Sequence, residues 1–343
     1  MTGQISRRGM LGACAALLFA TCFAGSVGAE VDSGWKRQFP KTDFSKHSVP
    51  FKEILSGGPP RDGIPPIDKP VFVTVKEAAS NGLADREAVI AVAINGDVRA
   101  YPLRILMWHE IVNDIVGGVP VAVTFCPLCN SAIVFDRRLE GRTLDFGTTG
   151  KLRNSDLVMY DRQTESWWQQ FLGEAIVGGL TGKQLKMLPV RVESFAKFKL
   201  RKSGAKKVLA PSNPRTRRYG YNPYVGYDSR RRPYPFFRGT MPEGLPPLER
   251  VVVVGKQAWA LSLVRTKKRI EAGDIVISWE AGQASALDSS VIARGKDVGN
   301  VVVQRKTKDG LVDAVHDISF AFAFHAFHPK GKIHTLKSAS RGK

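Results

Sequence analysis

Short apolar runs, some alternating with polar residues and some continuous, recur along the chain and are separated by Gly, Asn and Pro. Such runs predict β-strands, because successive side chains of a strand point to opposite faces of the sheet. Asn95-Gly96 joins two of the runs and predicts a tight hairpin, since both residues accept positive φ. We expect strands at residues 71–75, 88–94, 98–102, 121–125, 132–135, 143–146 and 157–160.

Helical spacing interrupts this pattern in two places. A helix over 103–116 is indicated by a single apolar face, formed by Leu103, Leu106, Met107 and Ile111. A second, short helix is expected near 193–203. Near the C-terminus, the alternating Phe and Ala of residues 320–324 predict a strand, on which His325 and His328 would point to opposite faces.

The last third of the chain repeats the pattern of the first. Residues 275–287 align without a gap on residues 121–133, and both copies place an alternating strand before a loop and Ser-Ala after it. The second copy has Glu280 and Gln283 where the first has two cysteines. We interpret this as a degenerate internal duplication. The predicted fold class is therefore mainly β (α+β), with two related β-rich halves and a few short helices.

The predicted organisation has five parts. They are a cleaved export signal (1–29), an extended lead-in rich in Pro and Gly (30–70), a first β-rich half that carries the cysteine pair (71–205), an arm or linker rich in Pro, Arg and Tyr (206–247), and a second β-rich half without cysteine (248–335).

The N-terminus has the pattern of an export signal. Arg7 and Arg8 precede a Leu/Ala/Phe-rich stretch, and Val27-Gly28-Ala29 fits a small-residue cleavage site. The arginine pair resembles a twin-arginine signal, which predicts a periplasmic or secreted protein. No later run reaches the ~20 apolar residues that span a bilayer, so we expect no transmembrane segment in the mature chain.

The chain is strongly basic, with 51 Lys and Arg against 31 Asp and Glu and a formal net charge of +20. Its basic residues concentrate in 197–207, 215–218 and 230–232. In an exported protein this charge favours an anionic envelope component over nucleic acid as a partner. A solvated basic surface without a specific partner is the alternative.

Cys126-Pro-Leu-Cys129 is the chemically distinctive motif, because the other two cysteines, Cys14 and Cys22, lie in the export signal. An isolated pair at this spacing is suited to a reducible disulfide, to a soft metal ion, or to a merely structural role. The residues after Cys129 alternate as a strand does, which argues against a thioredoxin fold, where a helix follows the first cysteine.

Two chemistries are open for this pair. In a thiol–disulfide or electron-transfer site, Cys126 would attack, Cys129 would resolve the mixed disulfide, and a redox partner protein would be expected. In a metal site, which needs further ligands, His109 on the predicted helix is the candidate third ligand, and copper or zinc is the candidate ion. A histidine bonded to a backbone carbonyl in the core is the alternative for His109.

A second polar and aromatic group surrounds residues 153–168. Asn154 and Asp156 would provide hydrogen-bonding groups of a ligand cleft, and Trp167 and Trp168 would form a flat apolar wall. Turn chemistry combined with core tryptophans explains the same residues without a ligand.

Several runs together resemble the uncharacterised family DUF3179. They are Trp108–Asp114, Val123–Cys129, Ser166–Gln170 with Gly179–Gly182, and Phe320–Pro329. The resemblance covers roughly residues 70–330 and implies an exported, mainly β protein. It supplies no activity, substrate or cofactor, so the chemistry has to be inferred from the residues themselves.

Overall fold

The computed structural model describes residues 1–2, 31–201 and 206–336. The predicted export signal therefore lies, apart from Met1 and Thr2, outside the described residues. The chain divides into two compact units, 1–30 and 31–343. In the described part of the chain, none of the helices has the length and apolarity that a membrane span requires.

The strands are β1 (Ile54–Ser56), β2 (Val71–Thr74), β3 (Ala88–Ile94), β4 (Asp97–Pro102), β5 (Ile111–Val116), β6 (Val119–Cys126), β7 (Ser131–Asp136), β8 (Arg138–Leu139), β9 (Arg142–Thr143), β10 (Phe146–Arg153), β11 (Asp156–Asp161), β12 (Trp167–Gln169), β13 (Glu174–Val177), β14 (Lys186–Leu188), β15 (Arg191–Ser194), β16 (Lys206–Ala210), β17 (Arg250–Val254), β18 (Gln257–Ala260), β19 (Arg269–Ala272), β20 (Ile275–Glu280), β21 (Asn300–Thr307), β22 (Gly310–Asp313), β23 (Asp317–Phe320) and β24 (Lys332–His334). The helices are α1 (Ser33–Gln38), α2 (Val75–Ser80), α3 (Leu103–His109), α4 (Phe195–Leu200), α5 (Leu261–Lys267) and α6 (Ala321–Phe327).

The protein is mainly β, as predicted, with a few short helices. Five sheets form the blades of a propeller-like ring. Their strand orders are β1-β10-β11-β12-β13, β14-β7-β6-β5, β15-β3-β4-β16-β2, β23-β17-β18-β24 and β19-β20-β21-β22, and β8 and β9 form a small separate ribbon.

Four of the five sheets form two pairs, and the two pairs have the same arrangement of strands. In β15-β3-β4-β16 and in β23-β17-β18-β24, three strands are antiparallel and the fourth pairs in parallel with its neighbour. In each pair a seven-residue helix leads to the second sheet. Helix α3 connects β4 to the sheet that contains β5-β6-β7, and helix α5 connects β18 to the sheet that contains β19-β20-β21. The strands β10 to β13 of the remaining sheet lie between β7 and β14 in the chain. Among the described residues, no sheet lies between the corresponding strands β21 and β22.

Two predicted elements are wrong. The helix expected over 103–116 ends at His109, because Glu110 has a φ of 58° and its N–H donates to the Leu106 carbonyl. The rest of that stretch forms β5, in which Ile111 pairs with Thr124 of β6. The strand expected at 320–324 is instead helix α6, in which residues 321–324 are all buried, so that no polar face marks this part of the helix. The short helix near 193–203 is confirmed as α4.

The lead-in and the arm both lie against the sheets. Trp35, Phe39 and Phe44 of the lead-in pack on the indole of Trp167. In the arm, Tyr227 stacks on Tyr234 with 4.6 Å between ring centroids. The lead-in residues thus form a separate aromatic cluster with Trp167, whereas Tyr227 of the arm belongs to the main core.

Candidate functional site

The two cysteines lie at the turn between β6 and β7. Cys126 ends β6 and pairs with Ser131, so Pro127–Asn130 form a four-residue hairpin loop. Asn130 closes the loop in the left-handed region at a φ of 52°, which asparagine accepts readily. The backbone carbonyl of Cys129 accepts from Phe320 N at 2.9 Å. The loop is thus fixed at both of its ends, and both sulfurs are held in the interior.

A second tight turn brings a carboxylate to the thiols. Asn154 and Ser155, with φ of 51° and 64°, form the two-residue turn between β10 and β11. Positive φ at both central residues is the requirement of a type I′ hairpin. Asp156 follows immediately and is fully buried. The Ser155 carbonyl accepts from the Cys126 thiol at 3.6 Å, so this turn contacts the cysteine loop directly.

Cys126, Cys129 and Asp156 each place one donor atom within 4.8 Å of the other two. Asp156 Oδ2 accepts from Gln169 Nε2 at 2.6 Å and from Phe171 N at 2.9 Å. Its Oδ1 is buried and has no hydrogen-bond partner among the described residues. The two sulfurs and one oxygen of the Asp156 carboxylate are therefore arranged as a three-donor group.

The group is acidic and lacks a compensating cation. Burial raises the pKa of Asp156 to about 7 and that of Asp317, behind the loop, to about 6. Burial also raises the pKa of both thiols, that of Cys129 more than that of Cys126. In the described chain, no Lys or Arg forms an ion pair with Asp156 or Asp317. A positive charge placed in this site would therefore favour the deprotonated form of each of these groups.

A cavity of about 340 Å³ reaches Cys126 and is lined mainly by apolar side chains. Cys126 is on its wall, whereas Cys129 lies behind and is fully buried. Glu110 also lines the cavity, and burial raises the pKa of its carboxyl to about 8. The arm forms one wall through Pro223, Tyr224, Tyr234 and Phe236, and Tyr227 Oη donates to the Leu128 carbonyl at 3.0 Å. The arm thus encloses the site.

His109 does not belong to the three-donor group. Its Nδ1 lies 2.7 Å from the Pro65 carbonyl and its Nε2 lies 2.7 Å from Tyr219 Oη. Burial lowers its pKa. Both ring nitrogens are thus engaged away from the sulfurs, in the arrangement of a core histidine bonded to a backbone carbonyl.

The predicted ligand cleft is divided between different places. Asp156 lies at the thiols, and Asn154 lies in the turn before it. Trp167 and Trp168 are fully buried; Trp168 Nε1 donates to Asp161 Oδ2 at 2.9 Å, and Trp167 packs against the lead-in. Neither indole lines the cavity.

Sequence reasoning did not assign a role to Glu110 or Asp317. A signal for Glu110 was available in residues 111–116, four of which are β-branched and favour a strand over a helix, so that Glu110 would have stood at the junction of the two elements. Asp317 gives no such signal, because it reaches the loop only through the pairing of β23 with β17 and its hydrogen bond from Ala132 N at 2.9 Å.

Fold and site together define a mainly β, propeller-like protein with a buried dithiol and carboxylate at the wall of a cavity. The chain belongs to DUF3179, described as a protein of unknown function, and the family model matches residues 61–331. The family indicated by the sequence runs is thereby confirmed. No curated protein and no solved structure matches the chain.

Proposed function

We propose that Cys126, Cys129 and Asp156 bind a zinc-class metal ion at the wall of the cavity. The observation that carries the proposal is the buried carboxylate of Asp156, which places one oxygen within 4.8 Å of both sulfurs and whose Oδ1 has no hydrogen-bond partner among the described residues. A buried acidic group is costly unless it is paired or coordinates a metal. A bound cation removes that cost and converts the thiols to thiolates.

The donor set favours zinc over copper. Copper(I) prefers soft thiolate ligands, whereas zinc accepts thiolates and carboxylates together. The third candidate ligand is the carboxylate of Asp156 rather than the imidazole of His109, which the sequence had suggested. A carboxylate oxygen is a harder donor than an imidazole nitrogen, so the donor set suits copper(I) less well. Three protein ligands and one open position are the pattern of catalytic zinc sites. The cavity at Cys126 provides room for that fourth position.

Metal analysis of the full chain tests this proposal. The protein is purified without chelators, reloaded with zinc and measured for zinc per chain and for free thiols. We expect one zinc per chain, and none after Cys126→Ser/Cys129→Ser. The matched control is Glu280→Ser/Gln283→Ser, which alters the corresponding loop after β20 and should leave the zinc content unchanged. A folded wild-type protein that takes up no zinc contradicts the proposal.

A dithiol redox site is the second candidate, and the unequal placement of the two sulfurs favours it. Cys126 lines the cavity, and its hydrogen bond with Cys129 partly offsets the effect of burial on its pKa. In this reaction Cys126 attacks a substrate disulfide, Cys129 displaces the second substrate thiol, and two electrons and two protons pass from the pair to the substrate. Loss of two titratable thiols on oxidation, restored by reduction, together with no bound metal would favour this candidate.

The basic envelope-binding module and the export route stay predictions. Two arginines of the basic stretches 215–218 and 230–232 stack on aromatic rings of the arm. Arg218 stacks on Tyr221, and Arg230 stacks on Tyr234. Such contacts hold the side chains at the surface while their charge stays available.

We infer further that the two halves derive from a duplication and that the metal site was added to one of them. Support comes from the shared strand order and from the two connecting helices, which both end in a left-handed residue, Glu110 or Lys268. The N–H of Phe125 and that of Trp279 donate to the carbonyls of these two residues at 2.8 Å. With this register, Glu280 and Gln283 would correspond to the two cysteines.

A further inference from the structure

Glu110 is a buried carboxyl at the cavity wall that no other residue satisfies. It is 7% exposed. Glu110 lines the same cavity as Cys126 and Tyr224, so it shares that cavity wall with one member of the three-donor group. In the described chain its side chain forms no ion pair and accepts no hydrogen bond. Glu87, which is equally buried, is paired with Arg104.

The fold does not require glutamate at this position. Glu110 has a φ of 58°, a conformation that favours Gly or Asn over a long side chain. The corresponding residue after α5 is Lys268, with a φ of 60°. The left-handed helix end is therefore independent of the side chain. A carboxyl that is costly to bury and unnecessary for the turn, but that faces a cavity, is a candidate for chemistry.

We propose that Glu110 is the proton-transfer group of a hydrolytic reaction at this cavity, which acts on a small ester or amide with an apolar acyl group. The inference rests on the metal centre proposed above, which would polarise the substrate carbonyl and orient the attacking water. Glu110 takes one proton from the water as its oxygen bonds to the carbonyl carbon. Glu110 then returns that proton to the leaving alcohol or amine as the carbon–oxygen or carbon–nitrogen bond breaks.

The cavity defines the class of substrate. Its volume of about 340 Å³ admits a small molecule, and the side chains around Cys126 and Glu110 are mainly apolar, among them Leu128, Leu152, Leu157, Tyr224 and Phe236. Aromatic and aliphatic walls favour a ligand that buries an apolar body and presents one polar group at the reacting end. An ester or amide carbonyl directed at Cys126 and Glu110 has this form.

The test uses the zinc-loaded full chain with p-nitrophenyl acetate and p-nitroacetanilide as probes. We expect release of p-nitrophenol or p-nitroaniline above the rate of the buffer. Glu110→Gln should lower kcat on the order of 10²- to 10⁴-fold, the range typical of a general acid–base group. It should also remove one limb of the pH profile of kcat. Glu280→Gln, a change of the same type at an exposed position, should leave kcat and the profile unchanged.

Zinc content is measured on every variant, so that failure of the catalytic role is distinct from failure of the centre. A zinc-loaded wild type that is no faster than Glu110→Gln overturns the role of Glu110 and leaves the centre standing. A wild type without zinc overturns the centre itself. If Glu110→Gln does not fold, as judged by circular dichroism, Glu110→Asp replaces it. That variant should keep zinc and the pH profile but lose rate, and an unchanged rate overturns the proposal.

Discussion

The loops after β6 and after β20 lie at corresponding places in two sheets with the same strand order, yet the buried carboxylates beside them, Asp156 and Asp228, differ in their cation partners. Near the second loop, the carboxylate of Asp228 accepts from Arg250, Lys296 and Ser285 at 2.6 to 2.9 Å. Burial alone would raise its pKa, but these partners hold it below the ordinary value. Near the first loop, Asp156 has no cation partner in the described chain and its pKa is raised.

The presence or absence of cation partners suggests different roles for the two buried carboxylates. A buried carboxylate that is surrounded by cations is part of the scaffold, and its removal should damage folding. A buried carboxylate without cations lowers the stability of the metal-free protein and is retained for another reason. Changes at Asp156 and at Asp228 should therefore have opposite consequences.

The largest expected effect is on zinc affinity. Asp156→Asn removes the charged ligand oxygen while it keeps the size of the side chain. We expect zinc to bind more than about 100-fold more weakly, because even partners outside the coordination shell typically cost 10- to 100-fold. Competition with a chromophoric chelator measures the affinity. Asp317→Asn is the matched control, since Asp317 is buried nearby but is outside the three-donor group. Equal losses in the two variants would remove Asp156 from the ligand set.

A large effect on folding is expected at the compensated carboxylate. Arg250 is buried against Asp228 at 2.9 Å, and Arg250→Ala leaves that carboxylate with Lys296 as its remaining cation. We expect the free energy of unfolding to fall by about 3–5 kcal/mol, the typical cost of breaking a buried ion pair. Urea unfolding followed by tryptophan fluorescence measures it. Arg269→Ala, in an exposed pair with Glu271, should cost no more than about 1 kcal/mol. Similar losses in both variants would contradict the comparison.

The pH dependence of stability should have opposite signs at the two carboxylates. Asp156 has a folded-state pKa of about 7, raised by burial, against about 3.9 when unfolded. The folded, metal-free protein therefore keeps a proton that the unfolded chain releases, and its stability falls as the pH rises from about 4 to 7. The expected loss is a few kcal/mol, at ~1.4 kcal/mol per pK unit. Glu110 and Asp317 act in the same direction.

Unfolding curves of the metal-free protein at pH 5 and pH 8 measure this dependence. Asp156→Asn should flatten it and should be more stable than the wild type at pH 8. Asp228→Asn should be less stable than the wild type at both pH values and should leave their difference unchanged, because a carboxylate with a lowered pKa contributes stability above its unfolded pKa of about 3.9 and loses it only at lower pH. An unchanged pH dependence in Asp156→Asn would show that this carboxyl titrates normally.

Local sequence signals predicted much of the β architecture and the location of the cysteines. The Asn95-Gly96 hairpin and the strand that ends at Cys126 follow from alternation and turn residues alone. Helix α3 was overextended because Ile111 fits both the helical face and the strand that pairs with β6. Tertiary pairing decided between the two, and periodicity does not report tertiary pairing.

The candidate site was predicted only in part, because its third donor comes from another sheet. Asp156 was noted for its polar neighbours, but nothing local to it indicates contact with the cysteine loop. Its position depends on the Asn154-Ser155 turn and on the sheet from β10 to β13, which the second half lacks among the described residues. His109, nearer in sequence, is instead bonded to Pro65 and Tyr219. Proximity along the chain is therefore a poor guide to which donor groups lie together in the fold.

The smallest expected effect comes from transferring the cysteines to the second loop. In a Cys126→Ser/Cys129→Ser background, Glu280→Cys/Gln283→Cys recreates the same spacing at the corresponding positions. We expect no tight zinc site, because both oxygens of the nearby Asp297 already accept from backbone N–H groups of that loop. Lys197, which is 2.5 Å from Glu280, adds a repelling cation. Zinc titration against the same chelator decides the matter. Tight binding by the transferred pair would mean that spacing alone makes the site, and that the uncompensated carboxylate of Asp156 is not its essential feature.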